Sequence, residues 1–97
     1  ELPLGAQFLL ETSNDFDAVI CLGSVIRGET AHFDFVCDST SKGIMDVGLK
    51  YNVPVIFGVL TDDNIDQSRA RSGGRLGNKG TEAAITALKM IALKTRL

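Results

Sequence analysis

One histidine, two cysteines and two prolines are all that 97 residues contain of these types. Each scarcity removes a class of chemistry. A single imidazole supports no histidine-based zinc site, and no Ser-His-Asp arrangement with a recognisable nucleophile elbow is present. Cys21 and Cys37 have no second cysteine or histidine at metal-ligand spacing, so no metal site is expected and both read as reduced core thiols. There is no P-loop and no GxGxxG. No apolar run approaches the roughly 20 residues that span a bilayer, and no signal-peptide pattern opens the sequence. A formal charge of -2 gives no reason to expect nucleic acid or an anionic membrane as partner. Proton transfer without a cofactor stays open.

What is present fits a packed soluble domain, with 44% hydrophobic residues. The length allows one domain at most, and a chain this short buries only roughly two-thirds of its unfolded surface, so stability alone should be marginal. Leu2-Pro3 opens a short helical pattern, proline being tolerated in a first turn, with Ala6, Leu9 and Leu10 facing one way. After the turn-rich Thr12-Ser13-Asn14-Asp15, Ala18-Val19-Ile20-Cys21-Leu22 reads as a strand that breaks at Gly23. Phe33, Val36, Cys37, Thr40, Ile44 and Val47 then recur at helical steps, which predicts an amphipathic helix ending near Tyr51-Asn52. Val53 to Leu60 is continuously apolar and β-branched, as in a strand covered on both faces. Strand, helix and strand in this order make a βαβ unit with a parallel pair.

Thr61-Asp62-Asp63-Asn64 offers cap oxygens for a helix to about Arg71, closed by Ser72-Gly73-Gly74. A last helix, capped by Asn78, is expected from Thr81 to about Thr95, with Ala84, Leu88 and Ile91 as its apolar stripe and Ala87, Met90 and Ala92 widening it. Two strands cannot cover their own edges, so further strands should complete the sheet.

The segment from Gly23 to His32 is where chemistry concentrates. A strand that ends and opens a helix presents free N–H groups, and the helix dipole draws a phosphate or carboxylate there. His32, an imidazole able to give and take protons, falls in the first helical turn beside that anion site. On spacing alone, a lone helical histidine is more often a cap or surface group. Gly28-Glu29-Thr30 can bind phosphate through its amides and the Thr30 hydroxyl, or be a plain connection with Thr30 as cap. Arg69, Arg71, Arg75 and Lys79 form a basic cluster that suits a phosphate, although such clusters are usually solvated surface. Phe57, inside a strand, reads first as core.

Val25-Ile26-Arg27-Gly28-Glu29-Thr30-Ala31-His32-Phe33-Asp34-Phe35-Val36, then Pro54-Val55-Ile56-Phe57-Gly58-Val59-Leu60-Thr61, then Gly77-Asn78-Lys79-Gly80 together resemble lumazine synthases. The similarity runs from Glu1 to nearly Leu97 but begins partway into the family pattern, so a preceding strand, helix and strand are expected to be missing from residues 1–97. The resemblance implies a three-layer α/β/α domain of flavodoxin-like type with a mostly parallel sheet. It also implies a cofactor-independent cytoplasmic transferase of riboflavin biosynthesis. Such an enzyme condenses 5-amino-6-(D-ribitylamino)uracil with 3,4-dihydroxy-2-butanone 4-phosphate to 6,7-dimethyl-8-ribityllumazine.

By this resemblance His32 matches the proton-transfer histidine. Gly28, Glu29, Thr30 and Arg71 match the phosphate site, and Lys79 matches a lysine close to it. Phe57 and the stretch Ser24-Val25-Ile26 match the lining of the pyrimidine pocket, and Glu1 matches the glutamate that holds the ribityl chain. The aromatic residue that stacks on the pyrimidine belongs to the absent strand, so residues 1–97 alone are expected to be inactive or unfolded. The implied assembly is a homo-pentamer with sites shared between subunits, and the short connection from Ser72 to Asn78 resembles that of members that form sixty-subunit shells. Two alternatives use the same fold: a non-catalytic flavin or lumazine carrier, and a shell-forming structural protein with a vestigial pocket. His32, Arg71 and Lys79 together speak against the vestigial reading, because a shell needs none of them.

Overall fold

The computed structural model describes residues 1–97 as an α/β chain with helices on both faces of a parallel pair of strands. Helix α1 spans Leu2–Thr12, strand β1 Val19–Ile26, helix α2 His32–Tyr51 and strand β2 Val55–Asp62. Helix α3 follows over Ile65–Ala70, then short strands β3, Ser72–Gly74, and β4, Gly77–Asn78, and finally helix α4 over Lys79–Arg96.

β1 and β2 pair in parallel from Val19 opposite Val55 to Ile26 opposite Asp62. The first strand therefore does not break at Gly23. Val25 and Ile26 are β-branched and continue the ladder beside Thr61 and Asp62, so the turn expected at Gly23 begins only at Arg27.

One face of the sheet is closed by α1 and α2. Val19, Cys21 and Val59 point to that side and pack with Ala6 and Leu10 of α1 and Ile44 and Val47 of α2 in one buried cluster. The α2 stripe expected from the sequence is the buried one, whereas in α1 Leu9 turns to solvent and only Ala6 and Leu10 are buried. Asn52, in the left-handed conformation with φ 55°, ends α2, and its N–H donates to the Gly48 carbonyl.

The other face meets α4 through Ile56, Ala83 and Ala87. This corrects the expected stripe: Ala84 and Leu88 face solvent and Ile91 is half-buried. The cause lies in β2. A Cβ at Gly58 would stand 2.8 Å from the Cys21 carbonyl oxygen and 3.2 Å from the Ala83 Cβ, so the helix is seated close, on its smallest residues. Selecting Ala83 and Ala87 turns the helix by about one residue from the bulkier stripe. α4 alone leaves apolar sheet surface open, with Leu22 58% exposed. Of the two thiols, Cys21 is buried as expected, but Cys37 is only half-buried, because α2 presents that flank to a surface cavity. Burial raises the pKa of both thiols, with Asp34 and Asp38 adding to the effect at Cys37. No helix is long and apolar enough to cross a membrane.

Candidate active site

Parallel strands direct their carboxyl ends toward one rim of the sheet, where loops are free to carry ligand-binding groups. Here that rim has two arms. The first leaves β1 at Arg27, runs through Gly28–Ala31 and enters α2 at His32. The Arg27 N–H donates to the Asp62 carbonyl at 2.8 Å, after which no other backbone carbonyl engages the N–H groups of Gly28, Glu29, Thr30 or Ala31. The His32 N–H makes only a long bond, 3.4 Å, to the Thr30 hydroxyl. Ala31 is the N-cap residue and supplies no side-chain cap. The start of a 20-residue helix thus carries exposed, unclaimed donors, an arrangement that attracts an anion.

Arg27 braces this arm. Its Nε donates to Asp63 Oδ1 at 3.0 Å, its Nη1 lies 3.6 Å from Asp34 Oδ1, and its guanidinium sits 4.4 Å above the Phe33 ring. The hydrogen bond it donates to the Asp63 carboxylate holds the guanidinium even more firmly protonated than usual.

The second arm follows β2. Asp62, buried at the strand end, accepts a 2.9 Å hydrogen bond from the Ser68 hydroxyl, which is itself 3.2 Å from the Ser24 hydroxyl of β1. The other carboxylate oxygen of Asp62 lies 3.9 Å from Nε of Arg71, the residue that ends α3. Asn64 caps α3 by accepting from the Gln67 N–H at 2.9 Å.

The β3–β4 hairpin then turns the chain back. Gly77 stands at φ 100°, a conformation that L side chains resist, and Asn78 caps α4 by accepting from the Thr81 N–H at 3.0 Å. As a result the Lys79 N–H donates to the Arg71 carbonyl at 2.8 Å. Arg71 and Lys79 face a common cavity of about 360 Å³ with Phe57, Thr61, Asp62 and Glu82.

The sequence-expected residues are therefore brought together only in part. Phe57, Arg71 and Lys79 share that cavity, and Phe57 also faces a second, of about 290 Å³, lined by Arg27 and Phe33. Glu1, Ser24 and Val25 line a third, of about 490 Å³. Gly28, Glu29, Thr30 and His32 are exposed on the first arm and line none of these three, as does Ile26. Phe57 is half-buried, so it serves the core as well as the cavities.

A family model described as 6,7-dimethyl-8-ribityllumazine synthase matches residues 1–95. The chain belongs to the 6,7-dimethyl-8-ribityllumazine synthase family. Among proteins carrying that family name, one from Cytophaga hutchinsonii is 64% identical over 92 residues, 95% of this chain and 57% of its own length. Those from Christiangramia forsetii and Flavobacterium johnsoniae are 55% and 56% identical over 94 residues, 97% of this chain and 56% and 49% of their lengths. The chain thus spans about half the length of the curated relatives it matches. Its parallel sheet between helices agrees with the flavodoxin-like fold expected of the family.

Three residues of this rim escaped the sequence reading: Arg27, Asp62 and Ser68. Arg27 left a trace, being the cation at the strand exit inside the longest family-like block. Asp62 read as one cap among four polar residues, and nothing in the pattern singled out Ser68. Burial distinguishes Asp62 and Ser68, and the contacts to Asp63, Asp34 and Phe33 distinguish Arg27.

Proposed function

We propose that the protein is a 6,7-dimethyl-8-ribityllumazine synthase, condensing 5-amino-6-(D-ribitylamino)uracil with 3,4-dihydroxy-2-butanone 4-phosphate and releasing phosphate and water. The observation that carries this reading is the family match over residues 1–95, which contains every residue of both arms of the rim. In the reaction the pyrimidine amine attacks the ketone, an imine forms, phosphate leaves, and the second amine closes the ring. Each stage moves protons.

His32 shuttles those protons, while Arg71 and the Gly28, Glu29 and Thr30 segment hold the phosphate and stabilise its departure. Lys79 adds positive charge on the Arg71 side, and Phe57, with Ser24, Val25, Ile26 and Glu1, receives the ribitylaminouracil. No cofactor is called for. The unclaimed amides at the start of α2 and the Arg71–Lys79 cavity support this division of roles.

His32 lines no part of the cavity that holds Arg71, which supports a site completed between adjacent copies of the chain. The exposed apolar surface, with Phe8 57% and Leu88 67% exposed, supports assembly as a homo-oligomer, a pentamer or a sixty-subunit shell. Residues 1–97 belong to one domain of that protein.

The deciding experiment gives both substrates to the full-length protein and follows phosphate release beside lumazine absorbance. Matched rates are expected, whereas tight riboflavin binding without phosphate release would make the protein a carrier instead. Arg71→Ala should raise KM for the phosphorylated substrate about ten- to a hundredfold, the range for losing a charge-assisted hydrogen bond. His32→Ala should slow kcat by about a hundredfold without abolishing it, because positioning supplies much of the rate. Co-assembly of the two unfolded variants should restore activity by creating sites with both wild-type residues; equal and total loss in both, with no recovery, would contradict the assignment.

A further inference from the structure

The first arm contains the proposed phosphate donors yet has almost no hydrogen bonds of its own. Between the Arg27 N–H and the regular turns of α2, the single internal contact is the 3.4 Å bond from His32 to Thr30. A segment so sparsely tied takes its shape from its ends, and one side chain engages both ends. Arg27 reaches Asp63, beyond the end of β2, and Asp34 and Phe33, in the first turn of α2.

We infer that Arg27 is a positioning residue for the anion-binding arm, fixing the Gly28–Ala31 amides and His32 in the geometry that receives a phosphate monoester. The inference rests on the functional reading above. Arg27 is not itself the phosphate ligand, because two carboxylates already surround its guanidinium. Those same contacts remove an electrostatic obstacle. Asp34, in the first turn of α2, would repel an incoming phosphate from the helix start, and the Arg27 charge offsets it.

The anchor is firm because Phe33 is buried in the fold, so the guanidinium stacks on a fixed ring. A lysine supplies charge but neither the planar face nor the fork that meets Asp63 and Asp34 together.

The test uses the full-length protein, inorganic phosphate as the binding probe and both substrates in steady state. Arg27→Met should weaken phosphate binding and raise KM for the phosphorylated substrate by about tenfold, as a loosened grip implies. KM for the pyrimidine should stay within about twofold, since that substrate does not use these amides. Arg27→Lys should recover only part of the loss, and Asp63→Asn, which leaves Arg27 in place, should shift phosphate affinity in the same direction by a smaller factor. Unchanged phosphate affinity in Arg27→Met beside a wild type that binds and turns over would overturn this inference alone. Equal losses for both substrates, tracking a lower melting temperature, would make Arg27 merely structural and overturn it too. A wild type that neither binds phosphate nor turns over would sink the functional reading, and this inference with it.

Discussion

The two arms at the end of the sheet are held by opposite means. The arm from Arg27 to His32 is fastened by an exposed ionic and stacking cluster, with side-chain exposures of 47%, 59% and 67% for Arg27, Asp34 and Asp63. The arm from Asp62 to Lys79 is fastened by a hydroxyl–carboxylate chain in which Ser68 and Asp62 are buried, a glycine turn and two helix caps. Exposed ion pairs are weak and screened by salt, whereas buried hydrogen-bonded groups are costly to disturb. The second arm should therefore contribute to stability and the first mainly to function. On this division His32 and the Gly28–Ala31 amides stay accessible, while Arg71 is held at the end of α3 against the β3–β4 hairpin.

The contrast is most exposed to failure at Ser68. Ser68→Ala leaves the buried Asp62 carboxylate without its 2.9 Å donor, and chemical denaturation should show a loss of about 1–3 kcal/mol that added salt hardly changes. A neutral result would mean that solvent reaches the chain and that the two arms are alike. Gly77→Ala, which puts a Cβ on a residue at φ 100°, should cost about 1–2 kcal/mol in the same assay and raise KM for the phosphorylated substrate by displacing Lys79. Asn78→Ala removes the cap of α4, and a decrease of about 1 kcal/mol is expected, measurable as a lower melting temperature. The smallest stability effect belongs to the first arm. Asp63→Asn should leave the denaturation midpoint where it is, while any kinetic effect should shrink as ionic strength rises. A large, salt-independent destabilisation there would erase the difference between the arms.

The two faces of the sheet add to the picture. Seven buried residues gather between the sheet and α1 with α2, but only three where α4 meets it. Small residues at that contact let helix and strand approach closely, and they also bury little apolar area per residue. Leu22 and Leu88 therefore stay exposed on that side, as surface suited to a further packing partner.

Local pattern made much of the fold legible. The β-branched run of β2 announced a strand buried on both sides, the stripe from Phe33 to Val47 announced α2, and Asn78 announced the start of α4. The extension of β1 through Ile26 was not legible, because it depends on pairing with Thr61 and Asp62, more than thirty residues away. The orientation of α4 was hidden for a related reason: a glycine on β2, not the helix's own periodicity, selects Ala83 and Ala87. Among the candidate site residues, Arg71, Lys79, Phe57 and His32 were singled out by the family resemblance, whereas residue type alone read Phe57 as core and the cations as solvated surface. Asp62 and Ser68 look like ordinary polar residues until burial turns their hydroxyl and carboxylate into one connected chain.

Chain order and side-chain chemistry alone determined the succession of elements, the parallel pair and the types of group available for proton transfer and phosphate binding. These follow from short-range periodicity and the intrinsic acidity of each side chain, which no distant residue has to supply. The tertiary structure decided which groups meet: Arg71 beside Lys79, Ser24 on Ser68 on Asp62, and Arg27 between Asp63 and Asp34. Contacts of that kind depend on how far the strands run and where a missing Cβ lets a helix settle, and both are set by packing between segments remote in the chain.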